Sequence, residues 1–416
     1  MGEFEFRMLV GLDWGDSWHQ VALWDEQTQK QIDERIEHTP AALRAWVETL
    51  HARLDGASVA VAIEQSRGAI FDALSGYSFI TLYPINPRSA ARYREAFHPS
   101  HPKDDRTDAA CLLDLLRKHR NELRRFVSDD ASTRLIRLLT EDRRELVDQR
   151  TQHVQRLTDR LKTYYPQALR WAGELITMQA CDFLDRWPAL QTIQRARPSA
   201  IRTFYKRHHH ASPWIDKKLA EIHAEVTLHD EPVIIRAAVM LVAAEVAQIR
   251  ALNASIVYYD QQIAAAFAAH QDRSIFASFP GAGAQLAPRL AAAFGTNRDQ
   301  FPDAITLATR SGIAPVLRRS GKTATVHMRW ACPKFLRQTF HEFARVSIGH
   351  SVWARALYQQ QRARGHSHHH AIRTLAYRWI RVLFACWKNR TLYDESRYLL
   401  QLALRGSSLA TSPVLT

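Results

Sequence analysis

The 416-residue chain has room for two or three domains, and 46% hydrophobic residues is ordinary for a protein with a sizeable core. Its net charge of +14 points to a polyanionic partner. Four cysteines with no Cys-x-x-Cys pair argue against a zinc knuckle or a disulfide framework and fit reduced thiols in a cytoplasm. No apolar run follows a basic start, so no signal peptide is expected. The longest apolar stretch, Val233 to Ala244, is interrupted by Arg236 and is too short to span a bilayer, so no membrane is expected.

Met8 to Leu12 is an apolar run ending at Asp13, followed by turn residues Gly15, Asp16 and Ser17 and a second run from His19 to Trp24. This predicts a hairpin whose first strand delivers Asp13 at its end. A short strand is expected near 31–36. Thr39-Pro40 opens a helix to about Arg53, with Thr39 as N-cap. Ser58 to Ile63 reads as a strand closed by Glu64, Gly68 to Leu74 as a helix, Phe79 to Ile85 as a strand, and Ser89 to Glu95 as a helix. A mixed α/β sheet flanked by helices follows. Asp13 and Glu64 each close a strand, where α/β sheets gather ligands.

Next comes Lys103-Asp104-Asp105-Arg106-Thr107-Asp108-Ala109, at the start of a helix through Leu116. Asp105 and Asp108 are three apart and share a helix face. Two adjacent carboxylates repel unless a cation sits between them. Aspartates also cap helices, so a solvated helix start is the plain alternative.

From Ala131 the pattern changes to apolar residues spaced by seven: Leu139 and Leu146, then Val147, Val154 and Leu161. A long coiled-coil-type helix over about 132–165 is expected, stopped by Pro166. Pro188 and Pro198 limit the next segment to short helices, and Lys206 to His210 is a basic turn. A second long helix runs over about 232–270, with Val242, Val246, Ile249, Leu252 and Ile256 on one face. The pair suggests an antiparallel hairpin, serving either dimerisation or packing within the chain.

The basic charge is concentrated in the last third. Arg310 to Arg390 holds sixteen Lys/Arg against one acid, Glu342, an excess of +15 that exceeds the +14 of the whole chain. Pro280-Gly281-Ala282-Gly283 forms a helix-hairpin-helix-like turn in a mostly α-helical region, with glycines that let backbone approach a phosphate. Arg318, Arg319, Lys322, Arg329, Lys334 and Arg337, interleaved with Trp330 and Phe335, suit a nucleic-acid groove. The histidines at 366 and 368–370 fit either a transition metal or a solvated basic turn.

Chemically, Asp13, Glu64, Asp105 and Asp108 form a hard-oxygen donor set for two Mg²⁺ ions acting on a phosphodiester. Ser320, flanked by Arg318, Arg319 and Lys322, is a candidate nucleophile, or simply part of a phosphate-binding turn, since no general base can be named.

These residues match a known pattern. Val10-Gly11-Leu12-Asp13, Val61-Ala62-Ile63-Glu64 and Lys103-x-Asp105-x-x-Asp108-Ala109 are joined by Pro280-Gly281-x-Gly283, Gly312-x-Ala314-Pro315, Ser320-Gly321-Lys322 and Leu336-Arg337. In that order, over almost the whole chain, they resemble the DEDD transposases of insertion sequence family 110, recombinases guided by a bridge RNA. The resemblance implies a RuvC-like RNase H domain over 1–130, whose metal-binding acids are Asp13, Glu64, Asp105 and Asp108. It implies a long-helix coiled-coil dimerisation region over 131–270 and a basic helical transposase domain over 271–404, with Ser320 as the nucleophile that joins to DNA. A disordered tail is expected over 405–416. Expected partners are donor and target double-stranded DNA, a structured guide RNA and further copies of the chain as dimer or tetramer. The expected location is the bacterial cytoplasm. The chain departs from the family at Asp104, where Thr is frequent, and at 329–334, where Lys-Arg-Gly-Asn is frequent. A Holliday-junction resolvase using the carboxylates alone is the main alternative. An actin-type ATPase lacks its second phosphate turn, and a non-catalytic RNA-binding protein would not need Asp105.

Overall fold

The computed structural model describes residues 5–64, 68–97, 104–320, 323–327, 329 and 332–410. Lys103, Lys322, Trp330 and the end of the expected tail therefore lie outside the described residues. The chain divides into two units, 1–128 and 129–416.

The first unit is built on a five-stranded sheet of order β3-β2-β1-β4-β5. The strands are β1 (Met8–Asp13), β2 (Trp18–Asp25), β3 (Lys30–Glu37), β4 (Val59–Ile63) and β5 (Ile80–Pro84). β1 pairs antiparallel with β2 and parallel with β4, and β4 pairs parallel with β5. Helices α1 (Pro40–Arg53), α2 (Ala69–Leu74), α3 (Pro87–Phe97) and α4 (Asp105–His119) complete it. The strand order and directions make this a mixed α/β, RNase H-like unit. The element order agrees with the sequence pattern, and the expected short strand near 31–36 is a full eight-residue edge strand. Central strands are apolar along their whole length because both faces are covered, as in Val59-Ala60-Val61-Ala62-Ile63. Edge strand β3 carries Lys30, Asp33, Glu34, Arg35 and Glu37, charges that discourage pairing with another strand.

The alternation of side chains along each strand separates two cores. Met8, Val10, Leu12, Val59, Val61 and Ile63 pack on one face. Leu9, Ala60 and Ala62 face the other, beneath Ala109, Leu112, Leu113 and Leu116 of α4. Those four α4 residues recur at helical spacing and form one apolar stripe.

The second unit is helical apart from a small hairpin. Its spine is α5 (Ala131–Tyr164) and α11 (Pro232–Ala268). They run antiparallel: Arg143 pairs with Asp260 at 2.6 Å, Arg150 donates to Asn253 at 2.8 Å, and His153 meets Glu245 at 2.6 Å, partners descending as numbers rise. Between them lie α6 to α10 (Ala168–Trp171, Met178–Arg186, Leu190–Gln194, Pro198–Arg207, Ser212–Ala224), which close a core on one end of the pair. The other end enters a second core with α12 (Arg273–Ala277), α13 (Gly283–Phe294), α14 (Ala304–Arg310), α15 (Lys334–Ser347), α16 (Val352–Ala363), α17 (His368–Asn389) and α18 (Glu395–Leu404). Strands β6 (Val316–Ser320) and β7 (Thr323–His327) form the hairpin. One expectation needs correcting. The run Val233–Ala244 belongs to α11, whose 37 residues are long and apolar enough by composition to cross a membrane. Its stripe from Ala238 to Phe267 is nonetheless buried, with one end in each of the two cores.

Candidate active site

The sheet alternation aims two acids at the same place. Leu9, Gly11 and Asp13 share the α4 face of β1, and Ala60, Ala62 and Glu64 share it along β4. The register pairs Leu12 with Ile63, so Asp13 and Glu64 are the next residues out at one end of two parallel neighbours. Both are half-buried. After Asp13 the turn is held by the Gly15 amide, which donates to His19 Nδ1 at 3.3 Å, and His19 Nε2 meets His38 Nδ1 at 2.9 Å. Burial, then the neighbouring His38, lower the pKa of the buried His19.

Gly11 lets α4 lie close: a Cβ there would stand 2.1 Å from the Ala109 carbonyl oxygen and 2.4 Å from the Leu113 nitrogen. The turn before that crossing carries Asp105 and Asp108. Asp108 is half-buried and pairs with Arg94 of α3. This guanidinium is stabilised in its charged form chiefly by the hydrogen bond to Asp108, against the opposing effect of burial, with Glu64 also contributing. Arg94 therefore ties the α4 acid to the β4 acid electrostatically. Asp105 is exposed, and Arg106 beside it turns away to Asp33 on β3, at 3.0 and 2.8 Å. Asp104 is the N-cap residue, exposed, with its carbonyl accepting from the Asp108 amide at 3.0 Å.

Asp13 and Glu64 thus lie side by side at one end of the sheet, and Asp108, in the first turn of α4 with Asp105, is linked to Glu64 electrostatically through Arg94. Among the described residues no three carboxylate, histidine or cysteine side chains stand at a metal-holding geometry. The positive charge among these acids is supplied by Arg94, which the sequence reading did not single out. Nothing in its local spacing marks it, because its partner is fourteen residues away on another helix.

In the second unit, Ser320 ends β6 opposite Thr323. Arg318 pairs in the same hairpin with Thr325, and the Arg319 and Arg329 side chains are exposed. Lys334 opens α15, and Arg337 follows one turn later with its Nη1 buried and without a hydrogen-bond partner. His341, a further turn on, has its pKa lowered to about 4 by burial and by Arg373, Arg337 and His369. The glycine turn lies between five-residue α12 and α13, with Gly281 at φ +77° packed on Val346 and His350. His366 and His370 stack at 4.2 Å at the start of α17.

An RNase H-like sheet with acids at adjacent strand ends, backed by a helix that begins with aspartates, defines a nuclease-type carboxylate unit. A family model described as "Transposase" (DEDD, IS110) matches residues 10–166, and one described as "Transposase IS116/IS110/IS902 family" matches 273–359. Together they span more than half of the chain. The mini-circle candidate transposase for IS117 from Streptomyces coelicolor is 28% identical, covering 95% of this chain and 98% of that relative. The uncharacterized 43.6 kDa protein of insertion element IS110 from the same species is 26% identical over 93% of this chain and 96% of its own length. The uncharacterized 42 kDa protein of insertion element IS900 from Mycobacterium paratuberculosis is 26% identical, with 93% and 97% covered. The chain belongs to the IS110 family of DEDD transposases, enzymes that cut and rejoin DNA.

Proposed function

We propose that the chain catalyses site-specific strand exchange of an insertion sequence, using the four acids and Ser320 together. The observation that supports this is the placement of Asp13 and Glu64 at adjacent strand ends with the Arg94–Asp108 pair electrostatically coupled to Glu64, in a chain whose second matched segment carries the basic region around Ser320. The donor set is entirely carboxylate oxygen, which suits Mg²⁺. Asp13, Glu64, Asp105 and Asp108 would hold two such ions, and these would polarise the scissile phosphate and stabilise attacking and leaving oxygens. Arg94 already supplies a cation among the same acids, which supports a site built for positive charge. The chain's own part is orientation. The two strand ends fix Asp13 and Glu64 on rigid backbone, and the Gly11 crossing fixes the first turn of α4 against them.

Ser320 would attack the DNA phosphorus through Oγ, displacing a sugar hydroxyl and leaving a phosphoserine linkage that a second strand end reverses. Arg318, Arg319, Lys322, Arg329, Lys334 and Arg337 would bind the strand around it. The guide RNA, the dimer or tetramer, the coiled-coil role of α5 and α11, the helix-hairpin-helix role of the Gly281 turn, the three-region division and the cytoplasmic location rest on the resemblance. The deciding experiment incubates the full chain with donor DNA, target DNA and the element's flanking transcript, then looks for a covalent protein–DNA adduct on a denaturing gel. Parent protein in Mg²⁺ is expected to give the adduct, and Ser320→Ala and Asp108→Asn to lose it. Cleavage that persists without an adduct in Ser320→Ala would mean a resolvase using the carboxylates alone.

A further inference from the structure

An open cleft of about 450 Å³ lies between the C-terminal half of α17 and α18, far along the chain from the Ser320 hairpin. Arg378 and Arg381 line it from α17, Arg397 from α18 and Arg405 from just past the end of α18. One acid, Asp394, shares the lining, and its carboxylate is engaged as the α18 N-cap, accepting from the Arg397 amide at 3.0 Å. Neighbouring Glu395 is also committed elsewhere, accepting from Ser351 Oγ at 2.8 Å and the Val352 amide at 2.9 Å. Arg378 donates to the Tyr398 hydroxyl at 3.1 Å. Among the described residues, Arg381, Arg397 and Arg405 have no carboxylate partner for their guanidinium groups.

Four like charges around one concavity repel each other, and the concave wall focuses their field. A guanidinium fork matches phosphate oxygens in pairs. The α18 rise from Arg397 to Arg405 is about 12 Å, the axial span of about four successive phosphates of one strand. That length suits a strand better than a single small anion. We propose that the α17–α18 cleft is a second nucleic-acid contact, holding the phosphodiester backbone of a strand through Arg378, Arg381, Arg397 and Arg405. The proposal rests on the reading that the basic C-terminal third binds nucleic acid.

The test uses full-length protein and fluorescence anisotropy with labelled single-stranded DNA, duplex DNA and an RNA hairpin, titrated between about 50 and 200 mM salt. Variants are Arg381→Ala/Arg405→Ala, its charge-keeping counterpart Arg381→Lys/Arg405→Lys, and the remote control Arg195→Ala. The double alanine variant should lose about tenfold in affinity, and its log–log salt slope should fall by about 1.4 to 1.8, from two lost contacts at about 0.7 to 0.9 each. The lysine variant should keep the slope, and the control should behave as parent. The probe that loses most identifies the strand held, RNA or DNA. Parent-like affinity and slope in a folded double alanine variant would remove the cleft proposal and leave nucleic-acid binding by the rest of the basic region standing. If the parent binds no probe, both readings fall. Displacement of the parent's probe by polyglutamate, abolished in the double alanine variant while its nucleic-acid affinity is unchanged, would assign the cleft to an acidic protein instead. Should the alanine variant melt early, Arg381→Gln/Arg405→Gln carries the same comparison.

Discussion

The Ala109 carbonyl oxygen sits over Gly11 so closely that a methyl group on Gly11 would stand 2.1 Å from it. Backbone lies on both sides of that contact, so neither partner can rotate away. Gly11→Ala should therefore push α4 off the sheet. Overpacking usually costs 1–3 kcal/mol, and a clash with backbone belongs at the upper end, about 3 kcal/mol. Because α4 carries Asp105 and Asp108, DNA cleavage should fall even where the variant stays folded. Denaturant melts and cleavage assays on the same preparation check both, and parent-like values in each would refute the contact's importance.

Asp108→Asn should separate chemistry from folding. The Asp108–Arg94 pair is partly solvent-exposed, 17% and 24% by side chain, so its loss should cost under about 1 kcal/mol. Cleavage in Mg²⁺ should drop at least about a hundredfold, because a ligand charge is removed. Asp104→Asn should keep activity, since Asp104 is exposed and its side chain makes no capping hydrogen bond. Equal losses in both variants would place the metal-binding acids differently from our assignment.

Much of this unit was legible in the sequence because its signals are local. Asp13 and Glu64 end apolar runs, and Asp105 and Asp108 begin an amphipathic helix. What was not legible depends on tertiary placement. Arg94 looks like any surface arginine of α3 until α3 and α4 meet. The α17–α18 cleft needs two helices to face each other before four scattered arginines become one site. The apolar face of α11 was legible as a long helix over about 232–270, whereas its antiparallel seat is set by partners along α5 such as Arg143 and His153, which meet its Asp260 and Glu245.

In the second unit, Glu342 is the acid within the basic tract, and it is held between Arg144 and Arg289. Arg289 is buried, 9% exposed, with Nε and Nη2 lacking hydrogen-bond partners. Burial lowers its pKa, and Glu342 is the main influence opposing that. Glu342→Gln would leave this guanidinium without its counter-charge. A fully buried pair broken this way costs 3–5 kcal/mol. The Glu342 side chain is 30% exposed, so about 2 kcal/mol is the expected loss here. Replacing the pair with Arg289→Met and Glu342→Leu should recover most of it. Chemical denaturation of the three proteins decides the matter, and a double variant no better than Glu342→Gln would count against a charge-based cause.

His341 should make stability depend on pH below neutrality. Its folded pKa is lowered to about 4, first by burial and then by Arg373, Arg337 and His369. Unfolded histidine titrates near 6.5, so between about pH 6.5 and 4 the unfolded chain binds the proton that the folded chain refuses. Stability from this group is complete above about 6.5 and declines as pH falls through the window, by at most about 3 kcal/mol. Carboxylates titrate nearby, so the informative quantity is the difference between parent and His341→Gln. The variant should melt with a flatter profile from pH 7 to 4.5, and the two curves should converge toward the acid end. Bound nucleic-acid phosphate near Arg337 would offset the surrounding cations and raise the His341 pKa, shrinking the difference. Histidine side-chain NMR across the same range reads that pKa directly. A His341 titration near 6.5 in the free chain would overturn the assignment.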